Sequence, residues 1–343
     1  MTIKDIARLA GCSVGTVSRV LNNHPDVSEA MRKKVMEVVE EQGFQPNTNA
    51  RHLKMQASSA VALVVKGTSN MLFADLVERT QAMLVGSGEE TVVCYLDEDA
   101  DEVAYAVQLC RERRPKGILF LGGDLENFAR GFGQLELPCV LLTNSARELG
   151  FPNLSSLTTD DTEAAAQAIE YLLSQGHTRI GILGGSAHIS SQIGYSRLQG
   201  GLQSLRRHKV EFDLERQYEP CRYSLSEGYA AAQRLLSRCP DLTAVFALSD
   251  VMAIGVMRAL QDMGRTVPGD VSLMGYDGIA MARYCVPRLA TICQDTGRMA
   301  RRGGEMLLHR IYSQRPAAHE LVPFQLIRGE SVRPVFPDTE RLL

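Results

Sequence analysis

The sequence has no tryptophan, and its aromatics are ten phenylalanines and ten tyrosines, so any stacking platform for a ligand has to be Phe or Tyr. It lacks an apolar run approaching the ~20 residues that a helical membrane span requires, so no membrane partner is expected. Met1-Thr2-Ile3-Lys4-Asp5 opens without a basic region backed by an apolar stretch, so no secretory signal is read and the expected compartment is the cytoplasm. Charge of one sign is missing too: 37 Lys and Arg stand against 40 Asp and Glu, so a nucleic-acid footprint must be local. The eight cysteines, at 12, 94, 110, 139, 221, 239, 285 and 293, form no C-x-x-C pair, which argues against a disulfide framework or a metal site. H-E-x-x-H and G-x-x-x-x-G-K-[ST] runs are absent and the seven histidines are dispersed. No catalytic residue and no cofactor is expected, and the chain is read as not an enzyme.

What is present, over 343 residues, suggests two or three folding units. The first is a small helical head, expected over residues 1–45. Thr2 and Asp5 form a capping-box pattern, and Ile3, Ile6, Ala7 and Ala10 follow at helical spacing. Gly11 stops this helix and Ser13 can cap a second, whose apolar face is Val17, Val20 and Leu21. Its outward face carries Gly15, Ser18, Arg19 and Asn22, and Thr2 and Thr16 are expected with them among the DNA contacts. A third helix starts after Ser28 and is expected to bury Met31, Val35 and Val38. This is a helix-turn-helix pattern: Arg19 can offer paired donors to a guanine edge, and Lys4, Arg8, Arg32, Lys33 and Lys34 can lie against phosphates.

Residues 46–58 read as a linker in which Ala50, Leu53 and Lys54 share one side of a short helix. Alone it is below the ~12–15 residues at which isolated helices become marginal. From about residue 59 to 335 the pattern changes to short apolar runs alternating with helical stretches. The runs cover 60–65, 92–96, 118–121, 140–142, 180–183, 245–248 and 272–274. This predicts an α/β body of two doubly wound parallel-sheet subdomains, with the chain crossing between them. Ligands of such sheets sit beyond the carboxyl ends of the strands. That rule selects Asn70, Leu72, Phe73, Asn144, Gly184-Gly185-Ser186, Asp250 and Asp277, with Arg197 if it turns inward. Carboxylates, amides, an arginine and an aromatic suit a small polyol. The bland alternatives are that Asp250 caps a helix, Asp277 holds a turn with Gly278, and Arg197 pairs with a surface acid.

The run Thr2-Ile3-Lys4-Asp5-Ile6-Ala7-Arg8-Leu9-Ala10-Gly11-Cys12-Ser13-Val14-Gly15-Thr16-Val17-Ser18-Arg19-Val20-Leu21-Asn22 resembles the signature head of the lactose/galactose-repressor (LacI/GalR) family. Supporting segments are Gly176-His177-Thr178-Arg179-Ile180-Gly181, Ser249-Asp250-Val251-Met252-Ala253-Ile254-Gly255 and Val267-Pro268-Gly269-Asp270-Val271-Ser272-Leu273-Met274-Gly275-Tyr276-Asp277, so the resemblance covers nearly the whole chain. It implies a repressor with a periplasmic-binding-protein-like body, working as a homodimer on a double-stranded DNA operator under control of a small-molecule effector. A sugar is the first expectation; a purine or a protein corepressor is the alternative. It further implies that Val14, Gly15 and Arg19 face bases, and that residues 46–58 form a hinge helix whose Leu53 wedges into the minor groove beside Ala50 and Lys54. In the body it implies Arg197, Asp250 and Asp277 as effector contacts. Tyr223 is then a pocket aromatic, and Ser191 is added from the long loop 186–193.

Overall fold

The computed structural model describes residues 3–13, 16, 17, 20, 27–41, 60–313 and 315–335, and the chain divides into two compact units, Met1–Ala57 and Ser58–Leu343. In the first unit Ile3–Ala10 is helical, and Ile6, Ala7 and Ala10 pack with Val17, Val20, Val35 and Val39 into one buried cluster. Gly11 closes that helix at φ +62°, a left-handed conformation that costs glycine nothing. Ser13 caps the next turn as expected, its Oγ accepting from Thr16 N at 3.1 Å. The following helix is Glu29–Glu41; Val35 is buried as read, while Val38 and Met31 flank the core and Val39 enters it.

The second unit contains two six-stranded sheets. In chain order the strands are β1 Val61–Lys66, β2 Thr91–Leu96, β3 Gly117–Leu121, β4 Cys139–Leu142, β5 Leu154–Thr159 and β6 Ile180–Gly184. They continue as β7 Tyr218–Pro220, β8 Ala244–Ala247, β9 Ser272–Asp277, β10 Ala290–Gln294, β11 His319–Val322 and β12 Phe324–Ile327. The first sheet runs β11-β5-β4-β3-β1-β2 and the second β12-β10-β9-β8-β6-β7. Every pairing is parallel except β10 with β12. The chain therefore crosses between sheets after β5, after β10 and again between β11 and β12.

Parallel strands covered on both faces must be apolar throughout, and β3 shows it: all of Gly117–Leu121 is buried. Ile118 and Phe120 point into a core with Val103, Ala106 and Phe128, whereas Leu119 and Leu121 pack with Leu72, Leu76 and Leu84 of the helix Met71–Gly86. The helix Thr296–Ser313 lies on this second face, and its glycine pair explains how closely. A Cβ at Gly303 would stand 2.7 Å from Leu142 Cδ2, and one at Gly304 would collide with Met83 Sδ. Among the described residues no helix is long and apolar enough to cross a membrane.

Candidate functional site

A cavity of about 770 Å³ opens between the two sheets. Its walls come from the carboxyl ends of strands in both: Lys66, Gly67 and Asn70 after β1, Glu98 after β2, Gly122 to Asp124 after β3, Thr143 and Asn144 after β4, residues 185–189 after β6, and Cys221 to Tyr223 after β7. This is where an open parallel sheet leaves its backbone ends unclaimed by neighbouring strands.

Asn70 enters the wall because it caps the helix Met71–Gly86, its Oδ1 accepting from Leu72 N at 3.0 Å. Phe73, one turn into that helix, lays its ring against the Gly67 and Gly122 backbones, where positive φ values of +92° and +78° demand glycine. Asn144 is largely committed: Oδ1 accepts from Ser145 N at 2.8 Å, and Nδ2 donates to the Gly123 carbonyl at 3.2 Å. Tyr223 brings a hydroxyl that has no partner among the described residues although its oxygen is enclosed. Gly194 makes room for it, since a Cβ there would strike that hydroxyl.

Arg197 is the central cation. It sits on the helix Ile193–Arg207 and is 3% exposed, yet it lines the cavity. Nε donates to Asp161 Oδ1 at 2.7 Å, and Nη1 donates to the Leu248 carbonyl at 2.7 Å and to Asp277 Oδ1 at 3.3 Å. Its guanidinium stacks 3.8 Å above the Tyr276 ring centroid. Burial alone would weaken the guanidinium's hold on its proton, but Asp161 and Asp277 hold its pKa above the ordinary arginine value. With Nε and Nη1 occupied, Nη2 is the donor left without a partner among the described residues.

The structure thus brings Asn70, Leu72, Phe73, Asn144, Arg197 and Tyr223 around one cavity. It does not put Asp250, Asp277 or Ser191 on that wall. Asp250 is fully buried at the start of the helix Asp250–Asp262, and both oxygens are spent: Oδ2 accepts from Gly278 N (2.7 Å) and Ile279 N (2.9 Å), Oδ1 from the Thr291 hydroxyl (2.6 Å). It holds the chain reversal after β9 rather than facing the cavity. Asp277, at φ +113°, is clamped by Gln294 Nε2 at 2.9 Å, by Arg197 and more weakly by Asn70 Nδ2 at 3.4 Å. Burial raises the pKa of both carboxyls, and their mutual repulsion adds to this for Asp250. Ser191 lies in a shallow neighbouring depression, where its carbonyl accepts from Leu125 N at 3.3 Å. Tyr276 is fully buried beneath Arg197 and is no ligand platform. Gly185 and Ser186 line the cavity, and Gly184 does not.

Sequence reasoning missed Lys66, Glu98, Asp124, Gln192 and Arg222 on the wall. The same strand-end rule reaches Glu98 and Asp124, two and three residues past β2 and β3; Arg222 follows β7, a three-residue strand with no apolar run to announce it. Arg222 reaches the loop after β2, donating from Nη2 to Asp97 Oδ1 at 2.6 Å, so that the loops after β2 and β7 meet at the cavity mouth.

On the DNA side, Thr16 is described and its hydroxyl shares a 2.9 Å hydrogen bond with that of Ser13. Thr2, Val14, Gly15, Ser18, Arg19 and Asn22, and the hinge residues Ala50, Leu53 and Lys54, lie outside the described residues.

Residues 2–47 match the family model described as bacterial regulatory proteins, lacI family, and residues 169–332 match a periplasmic binding protein-like domain. Among curated relatives, the HTH-type transcriptional regulator GalR of Escherichia coli (strain K12) is 36% identical over 315 residues, covering 90% of this chain and 88% of its own. The ribose operon repressor of Haemophilus influenzae is 32% identical over 310 residues, covering 90% and 92%. Among solved structures, a complex of the transcriptional regulator CelR with cellobiose superposes with a TM-score of 0.68 at 29% identity, over 96% of this chain and 99% of that one.

Proposed function

From the premise that the chain belongs to the LacI/GalR family of bacterial transcriptional regulators, we propose that it represses transcription from a palindromic operator and that a sugar held in the body's cavity sets its DNA affinity. The observation that carries the sugar reading is the donor pattern of the cavity. Arg197 Nη2 is held in place without a partner among the described residues, on a wall that also carries the Phe73 and Tyr223 rings. A polyol offers a hydroxyl oxygen to that donor and a C–H face to an aromatic ring, in a volume within the ~300–1,000 Å³ usual for small-molecule sites. One relative is named for the ribose operon and one related solved complex holds cellobiose, which supports the same class.

In this reading two copies pair, because a two-fold protein matches two operator half-sites. Val14, Gly15 and Arg19 read bases while Thr2, Thr16, Ser18 and Asn22 contact the duplex around them; Leu53 opens a base step with Ala50 and Lys54 alongside. The effector acts by binding one arrangement of the two sheets more tightly than the other. Asp250 and Asp277 shape the site from behind: Asp277 orients Arg197, and Asp250 fixes the turn that carries Gly278. The test is thermal unfolding of the protein against a panel of free sugars, where a ligand at 100 times its Kd adds about 2.7 kcal/mol. A sugar that raises the midpoint by several degrees in the native protein, and not in Arg197→Met, supports the reading; no response to any sugar refutes it.

A further inference from the structure

The cavity is lined by five carboxylates, Glu98, Asp99, Asp124, Glu215 and Glu227, and three cations, Lys66, Arg197 and Arg222. Each cation is already answered by protein. Lys66 Nζ lies 2.6 Å from Glu102 Oε2, Arg197 is shared by Asp161 and Asp277, and Arg222 Nη2 lies 2.6 Å from Asp97 and 3.3 Å from Asp99. Glu98 is not matched in this way. Its Oε2 accepts from Tyr223 N at 3.3 Å and lies 3.6 Å from Arg222 Nε, while Oε1 has no hydrogen bond among the described residues. Its side chain is two-thirds buried.

We infer that the cavity selects an uncharged polyol over the corresponding sugar phosphate, and that Glu98 is the residue that enforces the choice; this rests on the sugar-effector reading. A phosphate entering here finds no unpaired cation among the described residues and a surplus of negative charge in a partly desolvated space, where an uncompensated charge is costly. A hydroxyl suits the same surroundings, because it can donate to Glu98 Oε1 and accept from Arg197 Nη2. An amino group in its place gains an ion pair with Glu98. Burial pushes the Glu98 carboxyl above its usual pKa, as expected for a carboxylate short of partners.

The test is calorimetric titration of the full-length protein with ribose, glucose and galactose, each as the free sugar and as its terminal phosphate, with glucosamine and galactosamine added. On any scaffold that binds, the free sugar should bind at least about tenfold more tightly than its phosphate. Glu98→Gln should narrow that gap by about threefold or more and remove any advantage of the amino sugar. A phosphate that binds as well as the free sugar, or a gap unchanged in Glu98→Gln, overturns the inference and leaves the sugar reading standing. Silence of every scaffold in every form overturns both.

Discussion

Arg197 donates to Asp161 at 2.7 Å with both side chains almost wholly buried, and the two residues belong to different passages of the chain. Asp161 opens the helix Asp161–Ser174, which carries the chain from β5 in the first sheet to β6 in the second. Arg197 lies on the next long helix and reaches the cavity. One ion pair therefore ties the crossover to the site. The Tyr276 hydroxyl donates to the same Asp161 oxygen at 2.8 Å, so the aromatic under the guanidinium is fixed by the same carboxylate.

Removing one partner of a buried pair leaves the other charge uncompensated, which costs about 3–5 kcal/mol. Asp161→Ala is expected to lose stability on that scale in urea unfolding, and also to weaken sugar binding although Asp161 does not touch the cavity. Arg197→Lys should not rescue, because a single ammonium cannot serve Asp161, Leu248 and the cavity together. A wild-type midpoint in Asp161→Ala would show that the pair does not hold the crossover.

Asp250 divides stability from binding in the opposite sense. Its three hydrogen bonds hold the turn after β9 and none faces the cavity. Asp250→Ala leaves the backbone donors of Gly278 and Ile279 without their acceptor, and the expected loss is about 1–3 kcal/mol. Sugar affinity, measured where both proteins are fully folded, should change less than in Arg197→Met. The reverse ranking would return Asp250 to the ligand.

His177 sets part of the pH dependence. It is buried, with Nε2 donating to the Arg333 carbonyl at 3.0 Å and Nδ1 3.1 Å from the Thr243 hydroxyl. Burial, with the Arg333 charge in the same sense, holds its pKa below the usual 6.5. The unfolded chain then takes up the proton first. The His177 contribution is present above 6.5 and is lost as pH falls through that value toward the lower folded pKa. His319 shifts in the same direction, whereas the raised carboxyls of Asp250 and Asp277 favour the folded state at lower pH and lose that contribution as pH rises. Urea midpoints at about pH 7.5 and about pH 5.5, on either side of the usual histidine value, should differ more in the native protein than in His177→Gln. Equal differences would dismiss His177 as the titrating group.

Arg19→Ala is expected to weaken operator binding by about 1–3 kcal/mol and to relax discrimination at one base pair. Lys33→Ala should weaken operator and random DNA alike. Competition binding against single-base variants separates the two. Identical profiles for both substitutions would displace Arg19 from the recognition role.

The strands most legible in the sequence are those buried on both faces. Residues 118–121, 140–142 and 180–183 each fall within an observed strand, because continuous apolar residues between polar helices have few other places to go. β5, Leu-Ser-Ser-Leu-Thr-Thr, escaped that filter although all six residues are buried; Ser156 Oγ accepts from Ala146 N at 3.0 Å, so its hydroxyl is satisfied inside. The helix Thr296–Ser313 was hidden by Gly303-Gly304, which weaken helix propensity yet are required where Leu142 and Met83 press on it. The cavity was half legible. The strand-end rule finds Asn70, Phe73 and Asn144, but it cannot tell a carboxylate facing ligand from one turned back to cap its own loop, and Asp250 shows the difference.

Fluorescence anisotropy on a DNA site selected by the full-length protein reads the DNA-binding head and the sugar-binding body in one experiment. The expected result is a two-fold symmetric site, preferred over random DNA, with an affinity that moves by about 1–3 kcal/mol when a sugar that stabilises the protein is added. A protein that binds all DNA alike, or one whose operator affinity is untouched by a sugar occupying its cavity, would contradict the coupling of head to body.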